Sequence, residues 1–297
     1  MASVIDESQS LRGNVLFHPA FVTPHTVPVF LRSAALRVAA GTLLMAGVFA
    51  AIVALAVNGP NDDRLSCALA SATCLVAFYH YSKLISIRDQ SAPRIKLSKP
   101  GDVPMGQPSQ LKWSWQELEV DAVRYSDWMV TLGALTIDLH ILNGQHTRLF
   151  PVAWSVVLCG LMVACGAFTR LGTDELVPPT PSTDVTKTSD GWVRILGVVS
   201  FVVGVACLFL VLFNLLDGLD DPSNGWVFAF SIPWVGYGVI ALIGITWRQI
   251  QPDGYSEGLS IMKDLSYALL DIWSKAVFAY FIGVKALGFE SLVFGLV

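Results

Sequence analysis

Six polar residues stand out in apolar surroundings: Arg124, Asp127, Thr131 and Asp138 in "RYSDWMVTLGALTIDLHI", and Asp271 and Lys275 in "SYALLDIWSKAVFAYFIG". Charged side chains in a hydrocarbon environment cost several kcal/mol each on insertion scales, so they turn toward a protein interior and mark a counterion or a transport path. Arg124, Asp127 and Thr131 are spaced three and four apart and share one helical face. Asp138 follows Asp127 by almost three full turns, on nearly the same face and ~16 Å farther along the axis. Asp271 and Lys275 share a face of a second segment by the same spacing. A desolvated lysine beside a carboxylate has two readings, a structural ion pair or an amine that condenses with an aldehyde to a Schiff base.

The elements that must position these groups are membrane helices. Over half of the 297 residues are hydrophobic (54%) and only 14% are charged, with a mean hydropathy of +0.58, outside the range of soluble domains. Apolar runs fall at roughly 34–58, 65–87, 120–142, 149–171, 191–216, 225–247 and 259–288, each close to the ~20 residues that span ~30 Å of hydrocarbon. The runs lack the alternation of barrel strands, and backbone amides in lipid must be paired, so an all-α bundle of seven transmembrane helices is expected.

The expected division is an N-terminal cap or tail (1–33), one seven-helix domain (34–290) with a long loop at 88–119, and a C-terminal end (291–297) that stops while still apolar, as though cut from a longer chain. No early apolar segment resembles a cleavable signal peptide. Cys67, Cys74, Cys159, Cys165 and Cys207 all fall inside apolar runs without metal-ligand spacing, and are expected to be packing residues, with no disulfide and no metal. No phosphate-binding loop, nucleic-acid motif or internal repeat is visible.

Sorting the basic residues by side gives a bias. The N-terminal side would hold fourteen: Arg12, Arg32, Arg37, Lys83, Arg88, Arg94, Lys96, Lys99, Lys112, Arg170, Lys187, Arg194, Arg248 and Lys263. The other would hold Arg64, Arg148 and Lys285. Taken alone, this bias places the N-terminus in the cytoplasm.

The motif Arg124-Tyr125-x-Asp127-Trp128-x-x-Thr131, with Asp138 beyond it, and Asp271-x-x-x-Lys275 on the last helix resemble those of the microbial (type 1) rhodopsins, with a bacteriorhodopsin-like fold over the whole seven-helix domain. The resemblance implies all-trans retinal bound covalently at Lys275, Asp127 and Asp271 as counterions, and Asp138 as proton donor. It implies tuning of the counterions by Arg124, by Thr131 bonded to Asp127, and by Tyr81 in "LVAFYHYSKLI" bonded to Asp271. The retinal pocket it implies comprises Trp128, Leu132, Leu135, Gly160, Phe230, Pro233, Trp234, Tyr237 and Trp273.

Departures accompany the match. Leu132 and Gly133 replace a threonine and a proline, and in "FAFSIPWVGYG" Ile232 replaces a tyrosine that supports the counterion, while Ala229 and Gly236 stand near positions of pocket tryptophans. Asp253, Glu257 and Asp264 are the nearest candidates for assisting proton release, each read as a solvated charge. His80 and His140 read as interfacial residues, with His140 close enough in sequence to tune Asp138, and Lys285 as a boundary anchor.

The resemblance implies a non-enzymatic retinal photoprotein that spans the plasma membrane or an organellar membrane. Its partners are retinal, lipid, and protons or small cations. A homo-oligomer and a fused C-terminal effector domain are both compatible with it. Three functions stay open: a light-driven proton pump with Asp127 as acceptor and Asp138 as donor, a light-gated cation channel, and a photosensory module of a larger polypeptide. Family orientation would place the N-terminus outside, against the charge bias.

Overall fold

The computed structural model describes residues 26–91, 109–144, 148–171, 188–217, 226–250 and 257–289. The expected tail residues 1–25, most of the 88–119 loop (92–108), Asp253 and the segment 291–297 lie outside the described residues. All regular structure among the described residues is helical: α1 (Thr26–Ala56), α2 (Asn61–Ser91), α3 (Ser109–Leu142), α4 (Leu149–Leu171), α5 (Thr188–Leu216), α6 (Trp226–Ile250), α7 (Glu257–Asp271), a π-helical turn (Ile272–Val277) and α8 (Phe278–Ala286). The last three run on as one rod, so the described residues make seven rods. Five are long and apolar enough to cross a membrane; α3 carries more charge, and the apolar part of α6 among the described residues is the shorter Ser231–Ile243.

Helix ends follow local chemistry. After α1, "NGP" breaks the helix, and Asp62 and Asp63 sit in the first turn of α2, where the partial positive charge of free N–H groups favours them. Arg64 closes this corner by donating from Nε to the Val57 carbonyl at 2.7 Å. Beyond α3, Gly144 takes φ 68°, a left-handed conformation that glycine enters without a Cβ clash. Gly288 does the same after α8 (φ 75°), with Gly288 N bonded to Lys285 O (2.9 Å) and Phe289 N to Val284 O (3.1 Å), the paired bonds of a Schellman cap.

Consecutive helices pack side by side, and the seventh rod returns against α1 and α2, closing the ring. Its outer surface is apolar: Met45, Leu55, Phe168, Phe209, Phe213 and Leu269 are exposed, as suits a surface facing lipid. Carboxylates, arginines and a lysine are instead enclosed by the helices. At 34 residues, α3 is about 51 Å long, well over the ~30 Å hydrocarbon core. Its early turns, with Glu117 and Asp121, extend the bundle on the N-terminal side, so 109–119 is helix rather than loop.

The five cysteines are free and buried. Where α4 meets α5, a Cβ on Gly204 would come within 3.2 Å of Cys165 Cβ, so the small residues there set a close helix approach.

Candidate functional site

Lys275 lies in the π-helical turn and is 1% exposed. A single widened turn of this kind inserts a residue into the helical register and is frequent at functional sites. The Lys275 ammonium donates to Asp127 on α3 and lies 2.9 Å from Asp271 Oδ1 at the end of α7. Both carboxylates are buried. One cation between two anions leaves a local excess of negative charge, which the surrounding donors offset. Tyr81 donates to Asp271 Oδ2 at 2.8 Å and Tyr237 to Asp271 Oδ1 at 2.6 Å. Cys74 on α2 approaches the Lys275 carbonyl at 3.4 Å.

His80 was not expected at this cluster, and Tyr237, expected in the pocket, was not expected to bond Asp271. His80, read as interfacial, brings Nδ1 to 3.5 Å from Asp127 Oδ1 while also lying 2.9 Å from the Val76 carbonyl. Tyr237 supplies the hydroxyl that Ile232 lacks; Ile232 itself is 67% exposed on the lipid face. The α6 hydroxyl that reaches Asp271 therefore comes from the residues after Pro233.

Thr131 does not reach the Asp127 carboxylate. Its hydroxyl donates to the Asp127 main-chain carbonyl at 2.9 Å, the back-bond of a helical threonine. Arg124 also departs from expectation. Its guanidinium pairs with Asp264 and lies 3.7 Å from Asp121, rather than forming an ion pair with Asp127 or Asp271.

Aromatic rings wall the space beside the lysine. Trp128 packs on Tyr125, Tyr237 and Tyr267 at centroid distances of 5.5, 4.9 and 5.0 Å. A partly open apolar cavity continues from them, lined by Trp128, Leu132, Trp234 and Tyr237 together with Met162, Val163, Phe201, Gly204, Leu208 and Tyr267. Thus four of the nine expected pocket residues line the cavity. Leu135 and Pro233 are buried outside its lining, and Gly160 backs onto Met129, whose sulfur would lie 3.7 Å from an added Cβ. The side chain of Phe230 lies outside the described residues. Trp273 is a correction: it is 48% exposed, and its indole N–H donates to the Ala229 carbonyl at 3.0 Å, on the outside of the α6–α7 seam.

Toward the far side, Asp138 is fully buried and accepts a hydrogen bond from Ser66 on α2, while its second oxygen has no hydrogen-bond partner. Leu135 and Leu139 flank it in the core. His140 is also fully buried, but two residues of helix turn it to the opposite face. Its Nε2 lies 3.1 Å from Ser155 Oγ on α4, which Asn214 of α5 approaches at 3.4 Å. It is a buried interhelical link between α3, α4 and α5, rather than an interfacial residue.

On the N-terminal side, Asp264 is buried and bonded to Arg88 (Nε 3.0 Å, Nη2 3.2 Å) and Arg124, with Arg32 at 3.9 Å. Glu117 pairs with Arg88 and accepts from Ser260 at 2.8 Å. Asp121 pairs with Arg170 and with Lys263, the latter at 2.6 Å. Asp264 is therefore an interior ion-pair centre, not a solvated charge. The side chain of Glu257 is outside the described residues.

The residues present suit a long apolar aldehyde-derived group. Trp128 and Tyr237 line the cavity, and Tyr237 is bonded to the same carboxylate as the buried amine, so the aromatic cage adjoins the lysine cluster.

The sequence model described as "bacteriorhodopsin-like protein" matches residues 35–288. None of the curated proteins matches the sequence. Among solved structures, the chain resembles xanthorhodopsin, described as a light-driven ion pump with dual chromophore, at 19% identity and a TM-score of 0.55, covering 91% of this chain and 97% of that one. It also resembles the rhodopsin of Exiguobacterium sibiricum (16% identity, TM-score 0.57, 89% and 99% covered) and a blue light-absorbing proteorhodopsin from Med12 (17%, 0.52, 87% and 98%). At these identities the solved structures speak to the fold, and the match over 35–288 to the family, which implies a retinal chromophore. The chain is an integral, multi-pass membrane protein and belongs to the bacteriorhodopsin-like family, the microbial rhodopsins.

Proposed function

We propose that the chain is a light-driven proton pump, in which Lys275 condenses with all-trans retinal to a Schiff base, Asp127 accepts its proton and Asp138 supplies the replacement. The observation that carries this reading is the pairing of a buried lysine, held by Asp127 and Asp271, with a second buried carboxylate enclosed on the opposite side. When bound, retinal supplies a light-driven change of shape that redirects the N–H at Lys275 Nζ. The chain's own residues do the rest.

Asp127, already bonded to Nζ, is placed to take the proton with no rearrangement of solvent. Asp271 accepts hydrogen bonds from two tyrosine hydroxyls and lies against Nζ, so it is held as the second partner of the amine. His80 Nδ1 lies 3.5 Å from the Asp127 oxygen that makes no hydrogen bond. Asp138 is fully buried, with one oxygen held by Ser66. Leu132 and Leu135 stand between the two carboxylates along α3, an apolar barrier that keeps the two proton steps separate. The charge network around Asp264 lies at the N-terminal end. An apolar partition favours a pump over a channel, because a conducting channel needs a continuous polar path.

The test is illumination of unbuffered cells making the protein with added retinal. A sustained change in external pH, abolished by an uncoupler, is expected. A photocurrent that reverses with the cation gradient would identify a channel instead, and no transport with a long-lived photoproduct would identify a sensor. Lys275→Ala should give colourless protein, and a retained visible band would overturn the attachment site.

A further inference from the structure

We propose that the Cys74 thiol is a positioning residue that pins the main chain of Lys275 to α2, so that movement of the lysine side chain is passed to that helix and resisted by it. This rests on the retinal reading above and adds a residue to it. Cys74 is fully buried, and its thiol donates to the Lys275 carbonyl at 3.4 Å. A carbonyl oxygen has two lone pairs. In an α-helix this one would accept the amide four residues on. Here it accepts Phe278 N–H, three residues on, where the π-helical turn ends. The irregular turn leaves acceptor capacity on the lysine's carbonyl, and a side chain from a neighbouring helix takes it up.

The thiol is itself held in place. A Cβ on Gly47 of α1 would lie 3.1 Å from Cys74 Cβ, so α1 backs directly onto this residue. Close by on α2, Ser71 donates to the Gly47 carbonyl at 2.8 Å and ties α2 to α1 at the same height. Cys74 and Tyr81, seven residues apart, share a face of α2. They meet the seventh rod at Lys275 and Asp271 respectively. The same helix carries Ser66, bonded to Asp138, and His80, beside Asp127. Thus α2 touches the lysine, both of its carboxylates and the remote one, and Cys74 is its hold on the lysine's main chain.

Redirecting the N–H at Nζ pulls on the backbone of Lys275. With the carbonyl pinned, the turn keeps its register and the strain stays in the side chain, which drives the return to the starting geometry. Without the thiol the widened turn gives way, and the restoring force falls.

The experiment is light-minus-dark infrared spectroscopy of the retinal-loaded protein, in the S–H stretching region. An S–H band that moves to higher frequency in the photoproduct, as the thiol's bond weakens, is expected in the wild type and absent from Cys74→Ala. A packing role alone would leave no such band. No S–H change on illumination, or one that persists in Cys74→Ala, overturns the proposal. If Cys74→Ala forms no pigment, replacing Cys67, Cys159, Cys165 and Cys207 by alanine one at a time should leave the band in place, and its loss with any of them overturns the proposal.

Recovery of the visible band after a flash gives a second readout. Cys74→Ala should slow it roughly two- to tenfold, the range of one hydrogen bond, and Cys74→Ser, which keeps a donor, should recover most of the rate. Unchanged or faster recovery in Cys74→Ala, or a serine variant as slow as the alanine one, overturns the proposal. If wild-type protein forms no pigment with retinal, the retinal reading fails and this one falls with it. A pigment whose S–H region does not depend on Cys74 removes this proposal alone.

Discussion

Replacing Asp138 with asparagine tests the donor role with little structural disturbance. Asparagine has nearly the same shape, and its side-chain oxygen can still accept from Ser66. What disappears is the exchangeable proton. A positioned acid contributes roughly 10²–10⁴-fold to a proton-transfer step, and Asp138 is fully buried, with Leu135 and Leu139 beside it in the core. Protons must then come from bulk water. At pH 7 the proton concentration is ~10⁻⁷ M, and a diffusional limit on the order of 10⁹–10¹⁰ M⁻¹s⁻¹ caps such delivery at about 10²–10³ s⁻¹ before the apolar barrier slows it further. Two signatures follow. Return of the visible band after a flash should slow by about 10²-fold or more, and its rate should fall tenfold for each pH unit raised, while the wild-type rate is nearly flat around neutrality. Flash photolysis between pH 6 and 8 reads both. An Asp138→Asn protein with wild-type kinetics and no new pH dependence would refute the assignment and leave Asp138 a buried packing group bonded to Ser66.

Tyr237→Phe removes one of two tyrosine donors to Asp271, a bond to a charged group of ~1.5–3 kcal/mol. The pigment should bleach at lower temperature, and unchanged thermal bleaching would show that the bond contributes little. Gly133→Ala should be tolerated, because its Cβ would meet only Val156 Cγ1 at an ordinary 3.7 Å. Reduced chain entropy in the unfolded state should stabilise the protein by ~0.5–1 kcal/mol, read as a higher bleaching midpoint; a fall would mean that the glycine is needed for motion or packing. Gly283→Ala should do the opposite, since its Cβ would overlap the Phe49 ring on α1, with Cζ at 3.0 Å. A loss of ~1–3 kcal/mol is expected from overpacking, and wild-type thermal stability would show that the α1–α8 contact can open freely.

The charge bias used for orientation also takes a different meaning in three dimensions. Four of the fourteen cations on the N-terminal side, Arg32, Arg88, Arg170 and Lys263, are held in ion pairs inside the bundle. Arg37 pairs with Asp89 at 2.8 Å. Counted as loop charges they oppose the family orientation, whereas as interior partners of Glu117, Asp121 and Asp264 they serve the fold.

Spacing along single helices was enough to bring out the lysine, its two carboxylates and the remote Asp138, because helical periodicity sets which residues of one helix share a face. Composition was enough for a membrane-spanning α-bundle, since no soluble core buries so much apolar sequence. Relations between helices were not legible in this way. The approach of His80 to Asp127, the use of Tyr237 in place of Ile232, the outward turn of Trp273 and the capture of Arg124 by Asp264 each depend on how one helix is rotated against another. That rotation is set by packing of many side chains at once, and a long arginine can satisfy the same helical position with partners in either direction. The π-helical turn at Lys275 belongs to the same class: it shifts register within one rod by a single residue, and its flanks, Asp271 and Phe278, carry no residue type that announces it. The sequence alone determined that charges lie inside this membrane protein and which of them share a helix face; the tertiary structure decided which charge answers which.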